Sequence, residues 1–182
     1  MDDFLNEEQK RFLLGLARQT IETKLRTDKI LKPKVEDEVL LNKRGAFVTL
    51  KVDGELRGCI GYPLPYKPLA EAVAEMAVAA ATQDYRFQPL NEEELGSLKI
   101  EISVLTLPRR VKDIHEIEVG KHGIIISKGY NKGLLLPQVP LEYDWDLDTY
   151  LRHGCMKAGL DEYEWKKKVE IEVFEAQVFS EE

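Results

Sequence analysis

The residues in this chain whose types could do chemistry concentrate in one hexapeptide, LRGCIG at positions 56–61. It contains Cys59, one of only two cysteines, with Arg57 two positions before it. A thiol attacks as its thiolate, and a nearby cation favours that form. The pair therefore predicts a nucleophilic or redox-active thiol at Cys59, assisted by Arg57. The alternative, which residue type alone favours, is a structural cysteine, because free cysteine usually packs as a small buried hydrophobe.

A hairpin is expected to position this pair. Asp53-Gly54 separates two runs of β-forming residues, 46–52 and 55–60, which predicts a type I′ turn. A two-residue loop would then pair Val52 with Glu55, Leu50 with Arg57 and Val48 with Cys59. Arg57 and Cys59 would project from one face, because side chains two apart in a strand do so. Gly58 and Gly61 put no side chains beside the thiol, so we include them as candidate substrate-binding positions.

Further candidates lie on the strand predicted at 98–105, where apolar and polar residues alternate. Glu101 and Ser103 fall on its polar face. If that face lines a cleft, Glu101 could act as an acid or base, or as the partner of Arg57 or Arg86. The alternative is the solvated face of a sheet with one buried side.

The remaining polar candidates are more isolated in the sequence. Gln138 stands between Pro137 and Pro140, which favours a positioned amide for substrate binding. His153 is a further candidate for substrate binding, with a capped or solvent-facing helix histidine as the alternative. It lies two positions from Cys155, about 200° apart on a helix, so the two cannot bind one metal ion through a single turn. Paired-cysteine and His-Glu-x-x-His zinc motifs are missing, and we predict no metal site.

Composition restricts the class of protein. The 182 residues carry a net charge of −7, which disfavours nucleic acid as a partner. No run of 18 apolar residues is present, so no membrane span is expected. Two separated cysteines and an acidic start without an apolar stretch predict a reduced, cytoplasmic protein. Phosphate-binding loops of the G-x-G-x-x-G or Walker type are missing as well.

The order of elements predicts the fold class. Helical patterns cover about 7–26, 69–82 and 147–158, and strand patterns cover the hairpin, 98–105, 116–119, 123–127, 134–136 and 169–179. Strands and helices do not alternate strictly, so the chain is expected to be α+β with a largely antiparallel sheet.

The hexapeptide and several other blocks resemble the AMMECR-one-like domain family, whose prokaryotic members are called AmmeMemoRadiSam system protein A. The resemblance covers nearly the whole chain. The other blocks are AFVTL at 46–50, DGE at 53–55, PLAEAV at 68–73, RF at 86–87, IEISVL at 100–105, GLLLPQV at 133–139 and CMKAGL at 155–160.

The resemblance implies one domain over residues 1–182 with an α+β fold of two subdomains that form a cleft near Cys59. The larger subdomain would comprise about 1–90 and 135–182, and the smaller about 91–134. No reaction, cofactor or oligomeric state is implied. The family's naming implies Memo-like and radical-SAM proteins as partners. Two functions stay open: an enzyme component with a cleft thiol, or a non-catalytic adaptor that docks a partner or metabolite.

Overall fold

The computed structural model describes residues 4–182, and within them the chain has the α+β fold with antiparallel sheets that the sequence predicts. Its contacts divide it into two units, which we describe separately. The first unit comprises the described residues up to Leu105 together with Gln177–Glu182, and the second unit comprises Thr106–Ala176. In the described residues, no helix is long and apolar enough to cross a membrane.

The three helices predicted at about 7–26, 69–82 and 147–158 are present, and two short helices that were not predicted are present as well. In chain order the helices are α1 (Glu7–Thr27), α2 (Glu38–Leu41), α3 (Leu69–Thr82), α4 (Val139–Glu142) and α5 (Leu147–Lys157), with short 3-10 turns at Glu92–Gly96, Ile114–Glu116 and Glu164–Lys166. Helices α2 and α4 are the two that were not predicted. A capping box starts α1: the Asn6 side chain accepts from the Gln9 backbone, and the Gln9 side chain accepts from the Asn6 backbone. These bonds satisfy two amides that the first turn leaves without helical partners.

Eight strands form two four-stranded sheets in the described chain. The strands are β1 (Ala46–Val52), β2 (Glu55–Tyr62), β3 (Leu98–Leu105), β4 (Arg109–Arg110), β5 (Gly123–Lys128), β6 (Asn131–Leu135), β7 (Glu170–Phe174) and β8 (Ala176–Ser180). The first sheet has the order β2-β1-β3-β8, and the second has the order β4-β7-β5-β6. Strand β2 therefore forms one edge of the first sheet.

Helices cover one face of the first sheet. Strand β1 buries Ala46, Val48 and Leu50 completely on this face, because alternate side chains of a strand point the same way. Helix α3 packs on β1 and β2, and α1 packs on α3 and β3. Burying each large aliphatic side chain stabilises such a core by about 2 kcal/mol. Phe12 of α1 is 41% exposed.

The β1–β2 hairpin has the predicted turn and a different register. Both turn residues, Asp53 and Gly54, have positive φ angles, as a type I′ turn requires. Val52 pairs with Glu55 as expected, but a bulge follows, and Arg57 has no partner in the register. The predicted pairs beyond the bulge are therefore wrong: Leu50 pairs with Gly58, Val48 with Ile60 and Thr49 with Cys59. A bulge places two residues of one strand opposite one of the other and so shifts every later pair.

The second unit has its own core between its sheet and α5. Tyr150 and Cys155 of α5 are fully buried in it. A Cβ atom at Gly154 would lie 2.8 Å from the Cδ1 atoms of Ile124 and Ile126. The glycine thus lets α5 approach β5 closely, and α5 is one continuous helix through it.

The division into units differs from the boundaries expected from the resemblance. Residues 98–105 lie with the N-terminal unit because β3 pairs with β1 along its whole length. Residues 135–176 lie in the second unit because β7 pairs with both β4 and β5. The cleft expected from the resemblance stays a prediction.

Candidate functional site

Cys59 lies on the face of the first sheet opposite the helices. We call this the outer face, and it carries Phe47, Thr49 and Lys51 of β1, Cys59 of β2, and Glu101 and Ser103 of β3. Cys59 is partly exposed. The Thr49 hydroxyl donates a hydrogen bond to its sulfur, with 3.2 Å between Oγ1 and Sγ. The bond fixes the side-chain direction of a thiol that solvent can reach.

A thiol, a hydroxyl and a carboxylate stand in a row across three strands of the outer face. Thr49 pairs with Cys59 on one side and with Glu101 on the other. Two strand spacings, about 10 Å, separate Cys59 from Glu101 along this row. The carboxylate receives a hydrogen bond from Lys51, with 3.0 Å between Nζ and Oε2. Glu101 is thus placed to act on a ligand bound over Thr49, not on the thiol itself.

An aspartate holds the backbone of Cys59 at the sheet edge. The amide of Cys59 donates to Asp84 Oδ2 at 2.9 Å, and Asp84 is only 6% exposed. Arg86 clamps the same carboxylate through Nε at 2.9 Å and Nη2 at 2.7 Å. The guanidinium holds the pKa of Asp84 well below its usual range, against the opposing effect of burial. Asp84 thus occupies an edge amide that would otherwise be free to pair with another chain.

Arg86 is linked to the backbone of Cys59 through Asp84. The pKa of Arg86 is raised, mainly by its hydrogen bonds to Asp84. The Arg86 side chain is 44% exposed. Arg86 is therefore available to a ligand as well as to Asp84.

Arg57 is engaged elsewhere, so its side chain does not pair with Cys59. Its guanidinium donates to both carboxylate oxygens of Glu94, at 2.6 and 3.0 Å, and to the Gln88 carbonyl at 2.7 Å. The bond from Arg57 is the main reason that the pKa of Glu94 is lowered. Arg57 thus ties the bulge of β2 to the 88–94 segment. We had expected it to stabilise a thiolate, and the bulge accounts for the difference.

Close packing requires glycine at both glycine positions of the hexapeptide. A Cβ atom at Gly58 would lie 2.1 Å from the carbonyl oxygen of Ala80, so the glycine admits the backbone of α3. A Cβ atom at Gly61 would lie 2.4 Å from the ring of Phe47, which covers the glycine on the outer face. Neither position is open space beside the thiol, although both were candidates for ligand contact.

The other sequence candidates divide between the units. Ser103 is half-buried on the outer face, opposite Phe47. In the second unit, Gln138 is exposed and precedes α4 without a side-chain capping bond. His153 stacks on Trp145, with ring centroids 3.8 Å apart and planes inclined by 12°. Among residues 4–182, no group of three or more His, Cys, Asp or Glu side chains could hold a metal ion.

Sequence reasoning missed three residues around the thiol, Thr49, Lys51 and Asp84. Thr49 would have been found if the hairpin had been predicted with a bulge, because the bulge shifts the register by one residue and places Thr49 opposite Cys59. The spacing of Asp84 and Arg86, directly after α3, was the available signal for the clamp. Lys51 would have followed from its place on the same face of β1 as Thr49.

The comparisons with known proteins cover both units. A model of the AMMECR1 family matches residues 14–179. A protein of Methanopyrus kandleri is 48% identical over 192 residues, covering 100% of this chain and 93% of that protein. One of Methanocaldococcus jannaschii is 46% identical over 186 residues, covering 97% and 92%. The crystal structure of an uncharacterized protein from Pyrococcus horikoshii is similar with a TM-score of 0.79 and 40% identity, covering 98% of this chain and 94% of that one.

Proposed function

The chain belongs to the AMMECR1 family, and on that premise we propose that it is an enzyme component working through a nucleophilic thiol at Cys59. The observation that carries the proposal is the hydrogen bond from Thr49 to the sulfur of a partly exposed cysteine. A cysteine that served packing alone would be buried among apolar side chains, as Cys155 is. Burial raises the pKa of Cys155, which suits an inert thiol.

The proposed reaction is a substitution at a carbon atom of the substrate, with the sulfur of Cys59 as the nucleophile and no redox change. The partly exposed thiol of Cys59 gives its proton to solvent water, and its sulfur lone pair forms a bond to an electrophilic carbon of the substrate. The group displaced from that carbon leaves with the bonding electron pair. Covalent capture of this kind divides one difficult transfer into two easier ones.

The surrounding side chains fit a polar substrate of this kind. Arg86, half exposed, would bind an anionic group of the substrate next to the sulfur. Glu101 and Lys51 form an ion pair whose side chains are 31% and 39% exposed, so both keep contact with solvent. In the proposal they bind polar groups over Thr49, and Glu101 exchanges a proton with the substrate there. Arg57 serves as a positioning residue through Glu94.

The partners in this proposal are those that the family resemblance implies, Memo-like and radical-SAM proteins. A shared pathway would supply the electrophilic substrate or remove the transferred group. Co-purification of the native chain with such proteins tests this part separately from the chemistry. Recovery of the chain without either partner would contradict it.

Adduct formation tests the thiol function. The folded protein is incubated with the small-molecule fraction of an archaeal relative, and intact masses are measured. Wild type and Cys155→Ala should gain the same mass, and Cys59→Ser should gain none. An adduct that survives in Cys59→Ser, or the lack of any adduct on wild type, would contradict the proposal.

A second candidate, a non-catalytic docking module, is favoured by apolar side chains left exposed beside Cys59. Tyr85, between the two clamp residues, is 97% exposed, and Leu56 is 42% exposed. A docking role predicts that Tyr85→Ala abolishes partner binding while Cys59→Ser leaves it unchanged. A thiol role predicts that Cys59→Ser abolishes adduct formation while Tyr85→Ala retains it.

A further inference from the structure

A groove runs along the exposed side of α1, away from Cys59. It consists of two adjoining cavities of about 560 and 360 Å³ that share Phe12 and Lys34 in their walls. One wall is α1 between Asn6 and Gln19, and the other is the extended segment at 31–37. Cavities of this size accept ligands in other proteins. We call the two together the α1 groove.

Gly15 lies in the floor of the α1 groove and has no packing reason inside the described chain. A Cβ atom there would meet no atom within 4 Å, in contrast to Gly58 and Gly154. Glycine in the middle of a helix is destabilising compared with alanine. Phe12, one turn before it, leaves 41% of its surface exposed. The space above Gly15, next to the exposed ring of Phe12, can therefore accept an apolar side chain of another molecule.

Charges of opposite sign stand at the two ends of the α1 groove. Arg11, Lys32 and Lys34 line the larger cavity, which contains no acidic residue. Glu8, Glu36 and Asp37 line the smaller one, together with Lys34. Among residues 4–182, none of these six forms an ion pair within 4.0 Å, although Arg11 lies near enough to Glu7 to lower its pKa slightly, after the larger effect of Lys10. Such polarity is complementary to an occupant with one acidic and one basic end.

The backbone of the second wall is unpaired. From Ile30 to Glu36, no amide or carbonyl group forms a hydrogen bond with any described residue. Exposure also alternates along this segment, with Leu31, Pro33 and Val35 facing inward. This is the arrangement of a strand that lacks a neighbour, to which an extended peptide adds.

We propose that the α1 groove binds an extended peptide segment of a partner protein, with acidic residues at one end, apolar residues over Gly15 and basic residues at the other end. From Asn6 to Gln19 the helix rises about 20 Å. An extended peptide of about six residues has the same length. A small anion would complement only the basic half, whereas a peptide complements both ends and the unpaired backbone.

Competitive selection from a displayed library of random hexapeptides tests this proposal. Full-length wild type is immobilised, and excess Gly15→Leu protein in solution removes peptides that bind elsewhere. A Cβ atom at position 15 meets no described atom within 4 Å, and leucine favours a helix over glycine, so the unfolding temperature of Gly15→Leu should equal or exceed that of wild type. The selected peptides should carry acidic residues at one end, apolar residues in the middle and basic residues at the other.

Charge reversal provides the matched control. Binding of a selected, fluorescein-labelled peptide is measured by anisotropy on Lys32→Glu and on Lys29→Glu, an equally exposed lysine outside the groove lining. Lys32→Glu should weaken binding about fivefold or more, and Lys29→Glu by less than about twofold. The proposal is overturned if no hexapeptide distinguishes wild type from Gly15→Leu, if the selected peptides lack the charge polarity, or if both lysine variants bind equally.

Discussion

Replacing Asp84 by asparagine should loosen the backbone that presents Cys59. The carboxylate accepts hydrogen bonds from the Cys59 amide, from the Arg86 amide at 3.2 Å and from two guanidinium nitrogens of Arg86. Asparagine has the same shape but only one accepting oxygen, and its amide nitrogen would face donors. The variant thus removes the charge and at least half of the bonds while leaving the volume unchanged.

The expected loss of stability is about 2–3 kcal/mol. Breaking a buried ion pair by removing one partner typically costs about 3–5 kcal/mol. Arg86 is 44% exposed and regains water when the pair is broken, which places this pair below that range. For a chain of this length, about 3 °C of melting temperature corresponds to 1 kcal/mol, so the unit should melt about 6–9 °C lower.

Circular dichroism at 222 nm during urea unfolding follows mainly the first unit, because α1 and α3 have 21 and 14 residues and α5 of the second unit has 11. Helices α1 and α3 belong to the first unit, whereas Trp145 and Trp165 both lie in the second, so tryptophan fluorescence would report on the wrong part. Tyr85→Ala, in the same loop and almost fully exposed, is the control and should change stability by less than about 0.5 kcal/mol. If Asp84→Asn unfolded at the same urea concentration as this control, the hydrogen bonds of Cys59 and Arg86 to the Asp84 carboxylate would not stabilise the unit, which contradicts the expected loss.

Three further outcomes follow from the same contacts. Gly58→Ala should destabilise the protein by about 3 kcal/mol in urea, because its Cβ meets the Ala80 carbonyl at 2.1 Å; unchanged stability would mean that α3 moves away freely. Gly15→Ala should raise stability by about 0.5–1 kcal/mol in the same assay, and a loss would show that the position needs glycine. The folded-state pKa of Asp84 is lowered below its unfolded value of about 3.9, so its contribution to stability is complete above that pH and is lost as the pH falls further. In an acid titration followed by circular dichroism, Asp84→Asn should therefore lose less stability between neutral and acid pH than wild type. Equal curves would contradict the role given to Asp84.

The fold class was readable from the sequence because its strongest signals are local. The Asp53-Gly54 turn, the Asn6 capping box and the alternation at 98–105 each depend on neighbours in the chain, and each predicts its element correctly. Unit boundaries depend on which distant strands pair. Nothing near residue 98 in the sequence indicates that β3 pairs with β1 and not with the strands that follow it.

The candidate site was only partly readable for the same reason. The position of Cys59 on a hairpin strand follows from the sequence, but a single bulge changes its cross-strand partner from Val48 to Thr49. The bulge also moves Arg57 toward Glu94, so the cation that the sequence places beside the thiol is engaged elsewhere. Asp84 instead brings Arg86 to the Cys59 backbone, through a hydrogen bond across 25 positions of the chain that periodicity cannot indicate.

A nucleophilic thiol at Cys59 must react while the protein is folded, and the rate of its alkylation measures this. Native protein at neutral pH is treated with iodoacetamide, and the modified positions are identified by mass spectrometry over time. Cys155, fully buried in the second unit, is the internal reference. We expect one modification per chain, at Cys59, well before any at Cys155. Modification of Cys59 only after unfolding in urea, at the same rate as Cys155, would contradict it.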